Sequence, residues 1–213
     1  MIHKQYKMPK LTSLTQEEMD NVIYDARFGD LDSLKAIFTD EVEPSVLPKI
    51  KDEMTKATPF HMAAANGHAD VLKYLITLLN PKETKFILNQ QNDSGNTALH
   101  WAAYNGHLEC VKLLSEYGSD PFIQNNFKHD IFFEAQNSKH DDIVKFLLET
   151  FGEELEARSE GDKNGQKVDP EKVQYSAGTE IQKVEEGGEN EDEKHEDEKE
   201  VEFLNTKTEN LRV

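Results

Sequence analysis

The sequence predicts an all-α solenoid of about four helix pairs followed by a disordered, acidic C-terminal tail. Three observations predict it. The phrase TPFHMAAANGHADVLKYLI, which begins at Thr58, returns as TALHWAAYNGHLECVKLLS at Thr97 and, degraded, as DIFFEAQNSKHDDIVKFLL at Asp130. Within each copy the apolar residues fall at helical spacing rather than in strand-like alternation. The charge then separates along the chain. Of a formal net 24 − 42 = −18, residues 1–151 carry 15 − 22 = −7 and residues 152–213 carry 9 − 20 = −11.

Residues 1–14 read as a flexible N-terminus, and residues 15–57 as a degenerate cap repeat. Thr15 with Glu18 is a capping box, in which each side chain takes the other residue's backbone N–H. It opens a helix whose apolar face is Met19, Val22, Ile23 and Ala26. Gly29 ends that helix in alignment with Gly67 and Gly106, and a second helix runs from Leu31 to about Thr39 behind Asp30. Pro44 and Pro48 in EPSVLPKIKDEMTKA predict a short helical turn inside an extended loop.

Two full repeats follow, 58–91 and 92–124. Thr58 and Thr97 stand where an N-cap oxygen is needed, and Pro59 takes the first helical position, which requires no donor. Ala63, Ala64, Ala102 and Ala103 are small enough to let neighbouring first helices approach. Gly67 and Gly106 supply the left-handed residue that ends each first helix. The second helices bury Val71, Leu72, Leu75 and Ile76, then Cys110, Val111, Leu113 and Leu114. The third and second copies start 130 − 97 = 33 residues apart, the first pair 97 − 58 = 39, so six residues are inserted around PKETKF. Asn92 to Gly95, NDSG, is the turn between repeats.

Residues 125–151 read as a C-terminal cap repeat: Asp130, Ile131, Phe132 and Phe133 replace the repeat's opening, Lys139 replaces its glycine, and Asp141, Asp142 and Lys145 mark an exposed helix. A stack needs polar ends, because an inner repeat would otherwise show an apolar face to water. In residues 152–213, the stretch Glu185–Glu202 holds 11 acidic and 2 basic residues, too little apolar surface to offset chain entropy. Tyr175, Ile181 and Val184 just ahead of it are a segment that could dock on the repeats.

The repeat, with T-P-F-H at Thr58 and T-A-L-H at Thr97, resembles the ankyrin family, whose period is 33 residues. The resemblance implies a structural role for His61 and His100, bonded to turn backbone, and for His68 and His107 after each glycine. Cys110 packs in the core. No nucleophile elbow, phosphate loop, dinucleotide fingerprint or metal-ligand spacing is present, so the chain reads as a non-enzyme with no catalytic residue, cofactor or metal. Its negative charge disfavours direct nucleic-acid binding. The single cysteine, the lack of a signal-like start and the lack of a bilayer-length apolar run predict a soluble protein of a reducing compartment, away from membranes.

The degenerate DARFGDLDSL cap, DPFIQNNFKHDIFFEAQNS, and GTEIQKV ahead of the acidic tail extend the resemblance, over about residues 20–185, to the fungal ankyrin-repeat chaperones of small-subunit ribosomal protein S-three. That resemblance implies a monomer forming a heterodimer with a basic ribosomal protein, keeping it soluble, in cytoplasm and nucleus. Alternatives are an adaptor or inhibitor of a folded signalling enzyme and an acidic histone-type chaperone. Such stacks bind through hairpin tips and the groove face of the first helices, which places the candidate contacts at Asp93, Ser94, Trp101, Tyr104 and Asn105, with Met62 and Asn66 before them and Glu134 after. The opposite face offers Glu109, Asp141 and Asp142 to a basic partner.

Overall fold

The structure, a computed structural model, describes residues 9 to 161. Of the acidic tail, residues 152–161 are described and are helical; the expected disorder of residues 162–213 and the docking of Tyr175 to Val184 lie outside the described residues. Among those described, the regular structure is helical, apart from one isolated parallel bridge between Leu11 and Val42.

Four helix pairs follow one another in this region: α1 (Gln16–Phe28) with α2 (Leu31–Ala36), α3 (Pro59–Ala65) with α4 (Ala69–Thr77), α6 (Ala98–Tyr104) with α7 (Leu108–Glu116), and α8 (Ile131–Asn137) with α9 (Asp141–Gly161). The short α5 (Thr84–Leu88) occupies the insertion. First helices stack in the order α1, α3, α6, α8, and the second helices form a parallel row behind them. Ala63, Ala64, Ala102 and Ala103 are 0% exposed at these contacts, because methyl groups let the backbones approach closely. Leu72, Leu75, Val111 and Leu114 fill the space between the rows.

The N-terminal cap follows its local chemistry. Glu18 Oε2 accepts the Thr15 N–H at 2.8 Å and the Thr15 hydroxyl at 2.9 Å, which hold the Glu18 carboxyl below its usual pKa, while Thr15 Oγ1 accepts the Glu18 N–H at 3.3 Å. The second helix is shorter than the spacing predicted. After Ala36 it widens into a π turn, Ile37–Glu41, which delivers Phe38 to the core. The carbonyls freed there find partners in a strap of N-terminal chain: the Leu11 N–H donates to Glu41 O at 2.7 Å and Lys10 Nζ to Phe38 O at 2.8 Å. Lys10 and Leu11 are therefore held, although they fall in the stretch read as flexible. The helical turn expected in the proline-containing loop is a 3-10 helix, Pro44–Lys49.

At the other end, α9 runs past Phe151, where the sequence placed the end of the domain. The extension packs on the loop before α8. The Arg158 guanidinium lies 3.9 Å from the centre of the Phe122 ring, which also stacks on Phe132 and meets Phe151 edge-on.

The junctions between repeats are held by histidines. His61 and His100 reach forward, each accepting the N–H of its own N-cap threonine on Nδ1 at 3.2 Å. A backbone carbonyl can only accept, so Nε2 carries the proton, given to Asn96 O at 2.9 Å by His61 and to His129 O at 3.2 Å by His100. Both carbonyls stand just ahead of the next repeat's first helix. His68, His107 and His140 reach backward and donate from Nε2 to Arg27, Ala65 and Tyr104 carbonyls, each at 3.0 Å. Their rings lie against Gly29, Gly67 and Gly106, and a Cβ at Gly106 would come within 2.5 Å of His140 Cε1.

Two predictions follow from this arrangement. Gly106 has φ +79, so Gly106→Ala combines left-handed backbone strain with a clash against His140, and chemical denaturation should show at least about 1–2 kcal/mol of lost stability. Burial pushes the His61 imidazole down to about 4 from an ordinary 6.5. As pH falls through 6.5 the unfolded chain takes up this proton before the folded one, so stability present at neutral pH is lost progressively until about 4. The full loss is on the order of 3 kcal/mol. In urea titrations His61→Gln should be less stable at neutral pH and decline less steeply through that window.

Candidate protein-binding surface

Because the four first helices end at aligned positions, their outward side chains fall in rows. Five residues before Gly29, Gly67, Gly106 and Lys139 stand Tyr24, Met62, Trp101 and Glu134; one residue before them stand Phe28, Asn66, Asn105 and Ser138. Lys139 takes the glycine's left-handed conformation, at φ 60. These rows hold the groove-face contacts that the sequence offers, Met62, Asn66, Trp101, Asn105 and Glu134 among them.

Tyr104 is 46% exposed and meets Trp101 edge-to-face, with ring centres 6.3 Å apart. Trp101 is half-buried, and its Nε1 has no hydrogen-bond partner among the described residues. Asn66 and Asn105 are exposed but tied back, their side-chain amides donating to Met62 O at 2.9 Å and Trp101 O at 3.0 Å. Met62 is half-buried against the core. At the hairpin tips, the Asp93 N–H donates to Thr55 O at 2.8 Å, Asn126 Nδ2 donates to Asp93 O at 2.9 Å, and the Asn126 N–H donates to Ser94 O at 3.1 Å. These bonds stitch three successive tips together. The Asp93 carboxylate stays in solvent and Ser94 is half-buried.

Glu134 corrects the sequence reading. A groove-face contact in the sequence, it is instead 8% exposed, accepting from Asn125 Nδ2 at 3.1 Å and lying 3.3 Å from His129 Nδ1. The reason is that the last turn turns polar groups inward, and a carboxylate buried beside them is satisfied there.

On the opposite face Glu109 is exposed and pairs with Lys112 at 2.9 Å, a contact worth little in water. Asp141 and Asp142 are exposed in the first turn of α9, where negative charge also favours the helix itself. Among the described residues no group of three or more His, Cys, Asp and Glu could hold a metal, and no helix is long and apolar enough to cross a membrane. Cys110 is fully buried, and desolvation pushes its thiol up to about 12, away from thiolate chemistry.

Two exposed aromatic groups were missed by sequence reasoning. Tyr24 and Phe28 on α1 are 56% and 57% exposed, with ring centres 4.3 Å apart. The alignment of Gly29 with Gly106 carried the signal, since it puts Tyr24 in Trp101's row. Phe127 and Phe133 are 63% and 41% exposed around His129. For Phe133 the signal was its position, the one that His61 and His100 fill in the inner repeats.

The family model for ankyrin repeats (3 copies) matches residues 22–125. Ankyrin repeat-containing protein YAR1 of Saccharomyces cerevisiae is 42% identical over 176 residues, which span 80% of this chain and 86% of the relative. The chain belongs to the ankyrin-repeat family of YAR1. A chain in the crystal structure of the yeast ribosomal protein Rps3 in complex with its chaperone Yar1 superposes with a TM-score of 0.64 at 46% identity, over 65% of this chain and 96% of that one. Alpha-latrotoxin-Lg1a of Latrodectus geometricus is 36% identical over 91 residues, but these span 6% of the toxin, so the likeness is one of repeats.

The aromatic row yields a test that separates contact from packing. Tyr104→Ala should leave the melting temperature nearly unchanged and raise a partner's dissociation rate, by on the order of 2 kcal/mol if the ring is a hot spot. Trp101→Ala removes half-buried surface between repeats and should lower the melting temperature as well. Kinetic traces read beside melting curves distinguish the two residues.

Proposed function

We infer that this protein is a non-enzymatic chaperone that binds a basic small-subunit ribosomal protein of the Rps3 kind and keeps it soluble until ribosome assembly. The observation that carries this reading is similarity to YAR1 along 80% of the chain, together with the likeness to a chain in the solved Rps3–Yar1 complex. The physics agrees. A ribosomal protein that has not met its RNA carries uncompensated positive charge, and a chain of net −18 can occupy that surface in place of phosphate. The partner seats on the rows of the first helices and the hairpin tips, with Trp101, Tyr104 and Asp93 among its contacts, and the acidic residues 152–213 steer its approach. The complex is a heterodimer working in cytoplasm and nucleus.

The experiment is co-purification from cells followed by reconstitution. A small-subunit ribosomal protein should be recovered and should stay in solution, by light scattering, only when this chain is added. Recovery of a signalling enzyme or of histones instead would overturn the reading. Affinity should weaken as salt rises, because exposed charges are screened within about 8 Å at physiological ionic strength. Deleting residues 186–213 should slow association more than it speeds dissociation, as stopped-flow or surface-binding kinetics would register.

A further inference from the structure

The last repeat carries an aromatic slab that the stack itself does not require. In the inner repeats His61 and His100 each spend Nε2 on the carbonyl ahead of the following first helix. After α8 no further helix pair follows among the described residues, and Phe133 stands at that position. It is not buried. One face stacks on the His129 ring, with centres 3.7 Å apart and planes 24° apart, and Phe127 flanks the same imidazole with centres 6.2 Å apart. A terminal repeat ordinarily presents polar residues, so two phenyl rings left 41% and 63% exposed mark a surface kept for contact.

The electrostatics behind the rings point to the class of ligand. Glu134 lies under the slab, 8% exposed, with Oε1 3.3 Å from His129 Nδ1. A carboxylate at that distance favours the proton on Nδ1, which in the neutral ring leaves the lone pair on Nε2. Asn125 Nδ2 donates to the same carboxylate oxygen at 3.1 Å and to Asn96 Oδ1 at 2.8 Å, which fixes the carboxylate in place. The other charged neighbours are Asp130, whose Oδ1 is engaged by the Phe133 N–H at 3.0 Å, and Lys128, which is exposed on the loop. Two electron-rich ring faces, an imidazole lone pair and a buried anion together suit a planar cation that stacks and donates at once. That is a guanidinium rather than an ammonium, which is compact and strongly hydrated.

We propose that Phe127, His129 and Phe133, backed by Glu134, form a subsite for an arginine side chain of the bound partner. The assignment rests on the reading above, in which that partner is basic. Phe127 and Phe133 stack on the guanidinium, His129 Nε2 accepts one of its N–H groups, and Glu134 acts as a positioning residue through His129.

The test has two arms. Aromatic carbon–proton NMR spectra of the full chain are recorded while an Arg-Gly repeat peptide, or a Lys-Gly repeat peptide of equal length, is added at physiological salt. The Phe127, His129 and Phe133 ring signals should move with the arginine peptide at several-fold lower concentration than with the lysine peptide. In Phe127→Leu/Phe133→Leu the remaining His129 response should disappear while the melting temperature holds. Shifts confined to residues 152–213, or equal responses to the two peptides, would overturn the proposal. In the second arm the double variant should bind the ribosomal protein about fivefold more weakly than the unmutated chain. Unchanged affinity would remove the subsite and leave the chaperone reading standing. No binding by the unmutated chain would remove the chaperone reading, and the peptide titration would still decide the arginine site.

Discussion

Each repeat junction in this stack is crossed by an imidazole that gives its Nε2 proton to a backbone carbonyl of the neighbouring repeat. The bonds run in both directions at two junctions. Between the second and third repeats His61 reaches forward and His107 back; between the third and fourth His100 and His140 do the same. The first junction has only His68, because Ile23 occupies the place of the forward histidine and packs instead. A helical stack must satisfy carbonyls at helix ends and turns that no intrahelical donor reaches. Histidine does this across a gap too wide for serine and with a neutral ring that burial tolerates.

That constraint propagates. The glycines at 29, 67 and 106 serve the following repeat as much as their own helix, since each lies under the next histidine's ring. The alanines set the spacing at which the imidazoles reach. Once both are in place the helix ends are locked in register, and side chains at equivalent positions line up across four units. Tyr24, Met62, Trp101 and Glu134 share one row yet differ in chemistry, so the packed framework fixes where they stand without dictating what they are.

The acid residues divide along the same line. Those in the folded part are mostly spent locally: Glu18 in a capping box, Asp30 and Asp130 as N-caps, Asp141 and Asp142 at a helix start, Glu134 beneath an aromatic slab. The stretch 152–213, with 9 − 20 = −11, holds the larger share of the net negative charge.

By itself the sequence determined the period, the helix pairs, the N-caps, the left-handed glycines and the core faces, because each follows from local rules of spacing and backbone conformation. It also disclosed the family, through the T-x-x-H openings and the degraded ends. Tertiary structure alone decided what depends on atoms brought from distant positions. Carbonyls of the π turn after Ala36 find their donors in Lys10 and Leu11, about thirty residues earlier in the chain. His140 belongs to the backward ladder although its repeat has lost the glycine motif, because Tyr104 O lies within its reach. Glu134 shares a row with Trp101, and whether a residue in that row faces a partner or turns inward was set by Asn125 and His129 on a neighbouring loop. Phe133 reads in sequence as a lost histidine; its exposure against the His129 ring is visible only once the last turn has folded over α8, since stacking and burial are properties of neighbours that no local pattern names.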